Sequence, residues 1–189
     1  MEGACVSATV TVYLALGSNL GNRERNITRA GELLQEHLRH LALSSIYDTA
    51  PEGFINQPRF LNAVCRGTTT LSPEDLLAFV KGIERYMGRV PGGPPMGPRP
   101  LDIDILYCGD RVIDTPPLVI PHPRMAARAF VVVPLAELDP DVEHPILKKT
   151  AKELAEAVSG KADVVLFDRE KAYWAGLKRG KQPIPLRDK

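Results

Sequence analysis

Gly97-Pro98-Arg99-Pro100-Leu101-Asp102-Ile103-Asp104-Ile105-Leu106-Tyr107 reads as a turn, an arginine, and then an aliphatic strand carrying two carboxylates. Side chains alternate across a strand, so Asp102 and Asp104 share one face, while Leu101, Ile103 and Ile105 share the other and enter a core. Same-face residues two apart sit about 7 Å from each other. That is too far for a shared proton and suits two carboxylates straddling a pair of divalent metals about 4 Å apart. Aspartate is depleted in strands and costly to half-bury; hard cations with oxygen ligands offset that cost. The plainer account is an edge strand with two solvated aspartates. The spacing favours the metal site, because isolated buried carboxylates are rarely tolerated.

Upstream of this stretch, Gly88-Arg89-Val90-Pro91-Gly92-Gly93-Pro94-Pro95-Met96 is a glycine- and proline-rich loop that can close over a bound nucleotide. Before it, Ser72-Pro73-Glu74-Asp75 opens a helix with a cap, a proline at the first position and acids at the positive end. Leu76, Leu77, Val80, Ile83, Glu84 and Met87 follow at helical spacing. Phe60 to Thr68 is a strand with Phe60, Asn62 and Val64 on one face; the Asn62 amide, donor and acceptor at once, can serve a ligand edge or a backbone group. Leu43 to Thr49 alternates as another strand and runs into the loop Ala50-Pro51-Glu52-Gly53-Phe54-Ile55-Asn56-Gln57-Pro58. Val10 to Leu16 is the first strand. It ends at Gly17-Ser18-Asn19-Leu20-Gly21-Asn22, where Ser18, Asn19 and Asn22 are natural caps for a helix over 23–41. The turn lacks the Gly-Lys-Ser/Thr ending of a P-loop.

Downstream, Tyr107 to Ile113 is expected to be a hairpin turning at Gly109-Asp110, and Leu118 to Phe130 carries His122 between prolines. Val131 to Leu138 is apolar, and Leu147 to Ser159 is helical. Past it, Val164 to Phe167 can add a strand and Arg169 to Lys178 a short helix with Trp174. From Asp168 onward, seven basic against three acidic residues give a net charge of +4, which reads as a solvated tail. The division expected is a domain over 1–160 and a C-terminal extension over 161–189, partly disordered.

The 189 residues suffice for one core, and the formal net charge of +1 offers no global field for nucleic acid or an anionic membrane. No apolar run is long enough to span a bilayer, and Met1 to Cys5 lacks the pattern of a secretory signal. Three distant cysteines, Cys5, Cys65 and Cys108, give neither a disulfide framework nor zinc-ligand spacing. The expectation is a cytoplasmic protein. Strand–helix–strand–strand–helix–strand predicts an α+β sandwich, an antiparallel sheet with helices on one face.

Three stretches carry a family resemblance. Gly97-Pro98-Arg99, two residues, Asp102, an aliphatic and Asp104 is one. Thr49-Ala50-Pro51, then Gln57-Pro58, then Phe60-Leu61-Asn62 is the second; Pro121-His122, Met125 and Arg128-Ala129-Phe130 is the third. Together they resemble 6-hydroxymethyl-7,8-dihydropterin pyrophosphokinases, from about Val10 to Val158, with Gly17 to Gly21 matching a further family turn. The resemblance implies a ferredoxin-like βαββαβ core with C-terminal additions, and transfer of pyrophosphate from ATP to the pterin alcohol in folate biosynthesis. It implies two Mg²⁺ ions on Asp102 and Asp104, with Arg89, Arg99 and Arg128 neutralising phosphoryl charge. Thr49, Ala50, Glu52, Phe60, Asn62, Met96 and Phe130 would form the pterin pocket, Ala50 and Glu52 through backbone groups. Lys81, Glu84, Arg89, Arg99, Ile105, His122 and Arg128 would meet ATP. The chain departs from the family pattern at Ala50, where proline is usual, at Lys81 for glutamine, at Pro91 for a second arginine and at Met96 for tryptophan. Pro117 and Val119 leave only backbone contacts at two adenosine positions. No residue is an evident general base.

Binding partners beyond ATP and the pterin are not expected: no nucleic acid, no membrane, and a monomer or weak homodimer. A palm-like nucleotidyltransferase would need a further carboxylate, for which Asp48 is the candidate, facing away from Thr49. An RNA-binding sandwich would need exposed aromatics on a basic sheet face.

Overall fold

The computed structural model describes residues 8–90, 92 and 96–168. Cys5, Pro91, and the helix and tail expected beyond Asp168 lie outside them, and so does part of the loop before Met96. The central strand is β1 (Val10–Ser18), paired antiparallel with β4 (Phe60–Thr69) on one side and β5 (Asp102–Cys108) on the other. Beyond β4 lie β2 (Arg39–Leu43) and β3 (Tyr47–Thr49), and beyond β3 lies β8 (Val164–Leu166). The sheet is thus an antiparallel one, in the order β5-β1-β4-β3-β8, with β2 also on β4.

Helix α1 (Arg23–Leu34) and helix α2 (Pro73–Tyr86) cover one face. Ile27, Ala30 and Leu34 from α1, and Leu76, Val80 and Ile83 from α2, pack against Leu14, Leu16, Leu61, Ala63, Cys65, Ile103 and Ile105. Removing these aliphatic side chains from water is the main favourable term, of about 1.5–3 kcal/mol for each fully buried one. Ser72 caps α2 by accepting from Asp75 N, with Pro73 at the first position, as the sequence indicates.

The other face is covered over half its length. Tyr13, Val64, Leu106 and Tyr107 meet Val131 and Leu135 of α3 (Ala129–Leu138) and Ala151 at the start of α4 (Ala151–Ala157). Helices therefore lie on both faces, not one; the apolar run 131–138 forms the extra layer. Its sequence is apolar on all sides, so periodicity alone does not distinguish helix from strand.

Other differences have local causes. The strand expected over 43–49 is broken at Ser44, whose Oγ accepts from Val64 N at 3.0 Å while its own N–H reaches Val64 O at 2.9 Å. Helix α1 stops at Leu34, short of residue 41, and His40 takes a positive φ of 51°. Of the three expected caps only Asn22 acts as one, accepting from Arg25 N. Cys108 does not lead into a hairpin at Gly109-Asp110. Gly109 N is held by Thr11 O at 2.7 Å, and the hairpin joins β6 (Ile113–Thr115) to β7 (Leu118–Ile120) across Pro116-Pro117. Strand β8, in the stretch expected as an extension, is paired with β3.

Candidate active site

The uncovered half of the second face is the floor of a cavity of about 360 Å³, within the range of small-molecule sites. Register explains its chemistry. Ala15 lies between Val64 and Asp104, and Gly17 between Asn62 and Asp102. Alternation puts all six on one face. Toward Tyr13 the face is apolar and roofed by α3; toward Gly17 it is polar and open. A Cβ built on Gly17 would stand 2.8 Å from Asn62 Oδ1, so any larger residue there would have to displace the Asn62 amide.

The Gly97–Pro100 turn is clasped by the first turn of the chain. Ser18 Oγ donates to Pro100 O at 2.6 Å, Asn26 Nδ2 to the same oxygen at 3.0 Å, and Asn19 Oδ1 accepts from Arg99 N at 2.7 Å. Asn19 Nδ2 also reaches Gln57 Oε1 at 3.0 Å and Pro58 O at 3.1 Å, and Gln57 Nε2 reaches Met96 O at 2.9 Å. Ser18 and Asn19 thus tie the loops on both sides of the cavity together, a role with no local signal.

Asp102 accepts from Arg89 Nη1 at 2.5 Å and Arg99 Nη1 at 3.0 Å, one on each oxygen. Burial alone pushes its carboxyl up, but Arg99, Arg89 and Lys81 together hold it below the usual carboxylate range. Asp104 is less committed: His122 Nε2 and Arg128 Nη1 stand 3.8 and 3.9 Å from its Oδ2. Arg128 Nε is 3.3 Å from Glu52, and its guanidinium lies over the Phe130 ring at 5.4 Å. His122 Nδ1 accepts from Arg124 N at 3.2 Å, so the ring hydrogen of the neutral imidazole sits on Nε2. Burial, followed by Arg128 and Arg124, outweighs Asp104 and keeps this imidazole below the ordinary histidine value.

Across the floor, Asn62 Nδ2 donates to Thr49 Oγ1 at 2.7 Å, both residues being buried. The amide oxygen and the hydroxyl proton are left to meet a ligand. Phe60, Ala50, Glu52, Met96 and Phe130 complete this end.

The structure gathers nearly every sequence-proposed residue around one cavity: Asp102, Asp104, Arg89, Arg99, Arg128, His122, Lys81 and the Thr49–Asn62 end. Two stand apart. Ile105 is buried in the core on the helix-covered face, so its side chain is not presented to the cavity. Glu84 is 2% exposed and sits behind the wall, with Oε1 taking Ile103 N and Lys81 Nζ, both at 2.7 Å, and Oε2 standing 2.6 Å from Arg89. Arg124 lines the cavity and was not singled out by its sequence context. Asp48 faces away, ion-paired with Arg23 and Arg59.

The donor set fits a hard divalent cation. Two carboxylates, Asp102 and Asp104, at one floor position each suit Mg²⁺, which keeps waters and takes its remaining oxygens from substrate phosphates. Five cationic side chains, Lys81, Arg89, Arg99, Arg124 and Arg128, against three carboxylates, Glu52, Asp102 and Asp104, make the cavity electropositive and suited to a polyanion.

Comparison with known proteins places the chain in a family. The model of the family described as 7,8-dihydro-6-hydroxymethylpterin-pyrophosphokinase (HPPK) matches residues 13–140. A 2-amino-4-hydroxy-6-hydroxymethyldihydropteridine pyrophosphokinase of Aquifex aeolicus is 46% identical over 143 residues, covering 76% of this chain and 89% of that protein. A protein of the same name from Pseudomonas aeruginosa is 44% identical over 136 residues, covering 71% and 83%. The folate synthesis bifunctional protein of Arabidopsis thaliana is 47% identical over 131 residues, of which this chain spans only 26% of the length. The Plasmodium falciparum HPPK-DHPS crystal structure with pterin and p-hydroxybenzoate shares the fold, at a TM-score of 0.63 and 17% identity, over 79% of this chain and 42% of that one.

Proposed function

The chain belongs to the 7,8-dihydro-6-hydroxymethylpterin-pyrophosphokinase family, and from that premise we propose how its cavity carries out the family's reaction. The activity is ATP-dependent pyrophosphoryl transfer in folate biosynthesis. The hydroxymethyl oxygen of 6-hydroxymethyl-7,8-dihydropterin attacks the β-phosphorus of ATP. The bond from that phosphorus to the α–β bridging oxygen breaks, AMP leaves, and the alcohol proton passes to solvent.

One observation carries this reading: Gly17 separates Asn62 from Asp102 in register. The site for a flat, hydrogen-bonding heterocycle and the site for metal-bound phosphates are therefore side by side on one floor. Asn62 and Thr49 hold the ring edge, with Phe60, Phe130 and Met96 against its faces. Asp102 and Asp104 would hold two Mg²⁺ ions, which supply Lewis-acid polarisation of the phosphates. Arg89, Arg99 and Arg128 neutralise charge that builds on the transferred group. His122 carries its hydrogen on Nε2, so it offers phosphate a donor and is not the base.

The core is read as ferredoxin-like, βαββαβ, with α3, α4 and β8 as additions, over a domain of residues 1–160 and an extension of 161–189. We keep the cytoplasm as the compartment, in line with two free buried thiols, Cys65 and Cys108; among the described residues no helix is long and apolar enough to cross a membrane. A monomer or weak homodimer remains the proposed state. The test is to incubate the protein with ATP, Mg²⁺ and 6-hydroxymethyl-7,8-dihydropterin. AMP formed only with the pterin supports the reading; ADP, or nucleotide turnover without the pterin, contradicts it.

A further inference from the structure

Four guanidiniums line the cavity, and three already face carboxylates. Arg89 and Arg99 lie on Asp102 at 2.5 and 3.0 Å, and Arg128 stands 3.3 Å from Glu52. Arg124 differs. Its side chain is exposed, lines the cavity, and has no hydrogen-bond or ion-pair partner among the described residues. Its backbone is nonetheless fixed: Arg124 N donates to His122 Nδ1 at 3.2 Å, and Arg124 O accepts from Ala127 N at 3.3 Å. Its positive charge also reaches the His122 imidazole, which faces the same space.

An arginine paired with a carboxylate has part of its charge and donors already committed, whereas an unpaired one has all five N–H donors facing water. Together these observations single out the unpaired guanidinium at the cavity wall beside His122 as the first available to a polyanion. We propose that Arg124 is a further nucleotide-binding residue, pairing with a phosphate oxygen of the nucleoside triphosphate when it enters beside His122. This rests on the reading of the cavity as the nucleotide site. Because the side chain is exposed and solvent-screened, its share of affinity is modest, about fivefold, and it falls as salt rises.

The test is calorimetric titration of the full chain with α,β-methylene-ATP and Mg²⁺ at low and high salt. That analogue cannot transfer pyrophosphate, because the bond that must break is a carbon bridge. Arg124→Ala is expected to raise the nucleotide Kd about fivefold at low salt and to flatten its salt dependence, leaving pterin affinity and the unfolding midpoint unchanged. Arg124→Lys recovers most of the loss, as a point charge without the fork. An Arg124→Ala protein that binds the analogue as the wild type does, or that loses nucleotide and pterin affinity equally, overturns the proposal. A wild type that binds no analogue instead overturns the nucleotide reading on which it rests.

Discussion

Arg89 touches Asp102 at 2.5 Å with the same nitrogen that stands 2.6 Å from Glu84. One guanidinium therefore links a proposed metal ligand to a carboxylate buried in the wall. Asp102 is met by two cations in this arrangement, and under the proposed function an Mg²⁺–nucleotide complex would compete with Arg89 for its Oδ1. Glu84, still 2.6 Å from Arg89, would then hold that guanidinium at the cavity wall.

Glu84→Gln tests this division of labour. The amide retains an oxygen for Ile103 N and Lys81 but turns an NH₂ toward Arg89, donor against donor. Hydrogen bonds to a charged group contribute about 1.5–3 kcal/mol. With Lys81 and Arg89 each about a third exposed, the stability loss is expected near the lower end, measured by urea unfolding. Turnover falls more than the nucleotide KM rises, and the effect of Glu84→Gln shrinks when Arg89 is already methionine. An equal loss in both backgrounds counts against coupling through Arg89.

Thr49→Val addresses the other end of the floor. It leaves Asn62 Nδ2 buried without its acceptor, at a cost of about 1–3 kcal/mol in stability. The freed amide also loses its orientation, so the pterin KM rises about tenfold, the equivalent of 1.4 kcal/mol, while the nucleotide KM stays within error. Steady-state kinetics with each substrate varied in turn reads both; a rise confined to the nucleotide KM contradicts the assignment of this end to the pterin.

Gly17→Ala places a methyl group 2.8 Å from Asn62 Oδ1 and 3.9 Å from Asp102 Cβ. Either Asn62 swings out of register or β1 moves away from β4. Overpacking of this kind costs about 1–3 kcal/mol. The pterin Kd is expected to rise at least as steeply as with Thr49→Val, by fluorescence titration. Unchanged pterin affinity would show that Asn62 does not meet the ring.

How much of this was legible before folding can be judged residue by residue. That Asp102 and Asp104 share a face, and that Asn62 lies mid-strand, was legible because alternation along a strand fixes faces; Thr49 entered only through the family resemblance. The clasp of Ser18, Asn19 and Asn26 on Pro100 and Arg99 was not, since its partners are 74 to 82 residues away; locally Ser18 and Asn19 look like caps, and Asn26 like a polar position on a helix. Glu84 reads as one polar position on a helix, and only the approach of β5 buries it. A turn over Asp114 to Pro117 was legible and is where β6 joins β7, but the hairpin was assigned to Gly109-Asp110, the stronger local turn signal, which Thr11 O overrides. Helix α3 was missed as a layer because its residues are apolar on every side. Arg124 carries no local mark: what distinguishes it is the pairing of its three neighbours.

Acid should weaken the fold through His144, remote from the cavity. This imidazole is buried, and its Nδ1 accepts from both Ile146 N and Leu147 N at 3.2 Å. Burial holds its pKa below the ordinary histidine value of 6.5. The unfolded chain then binds the proton more readily, so stability is present above pH 6.5 and is lost as pH falls below it. His122 is shifted the same way and adds to the trend. Urea midpoints compared above and below that pH should show the drop, and His144→Asn, whose Oδ1 can accept the same two N–H groups, should flatten it. A drop of the same size in His144→Asn removes His144 as its cause.

The most direct measurement is the fate of labelled phosphorus. ATP labelled at the β-phosphorus and, separately, at the α-phosphorus is incubated with Mg²⁺, the pterin alcohol and the protein, alongside Asp102→Ala and Asp104→Ala. The account predicts the β-label on the pterin and the α-label in AMP, with both products lost in either variant. A β-label recovered in ADP or free pyrophosphate, or transfer surviving in either variant, would contradict it.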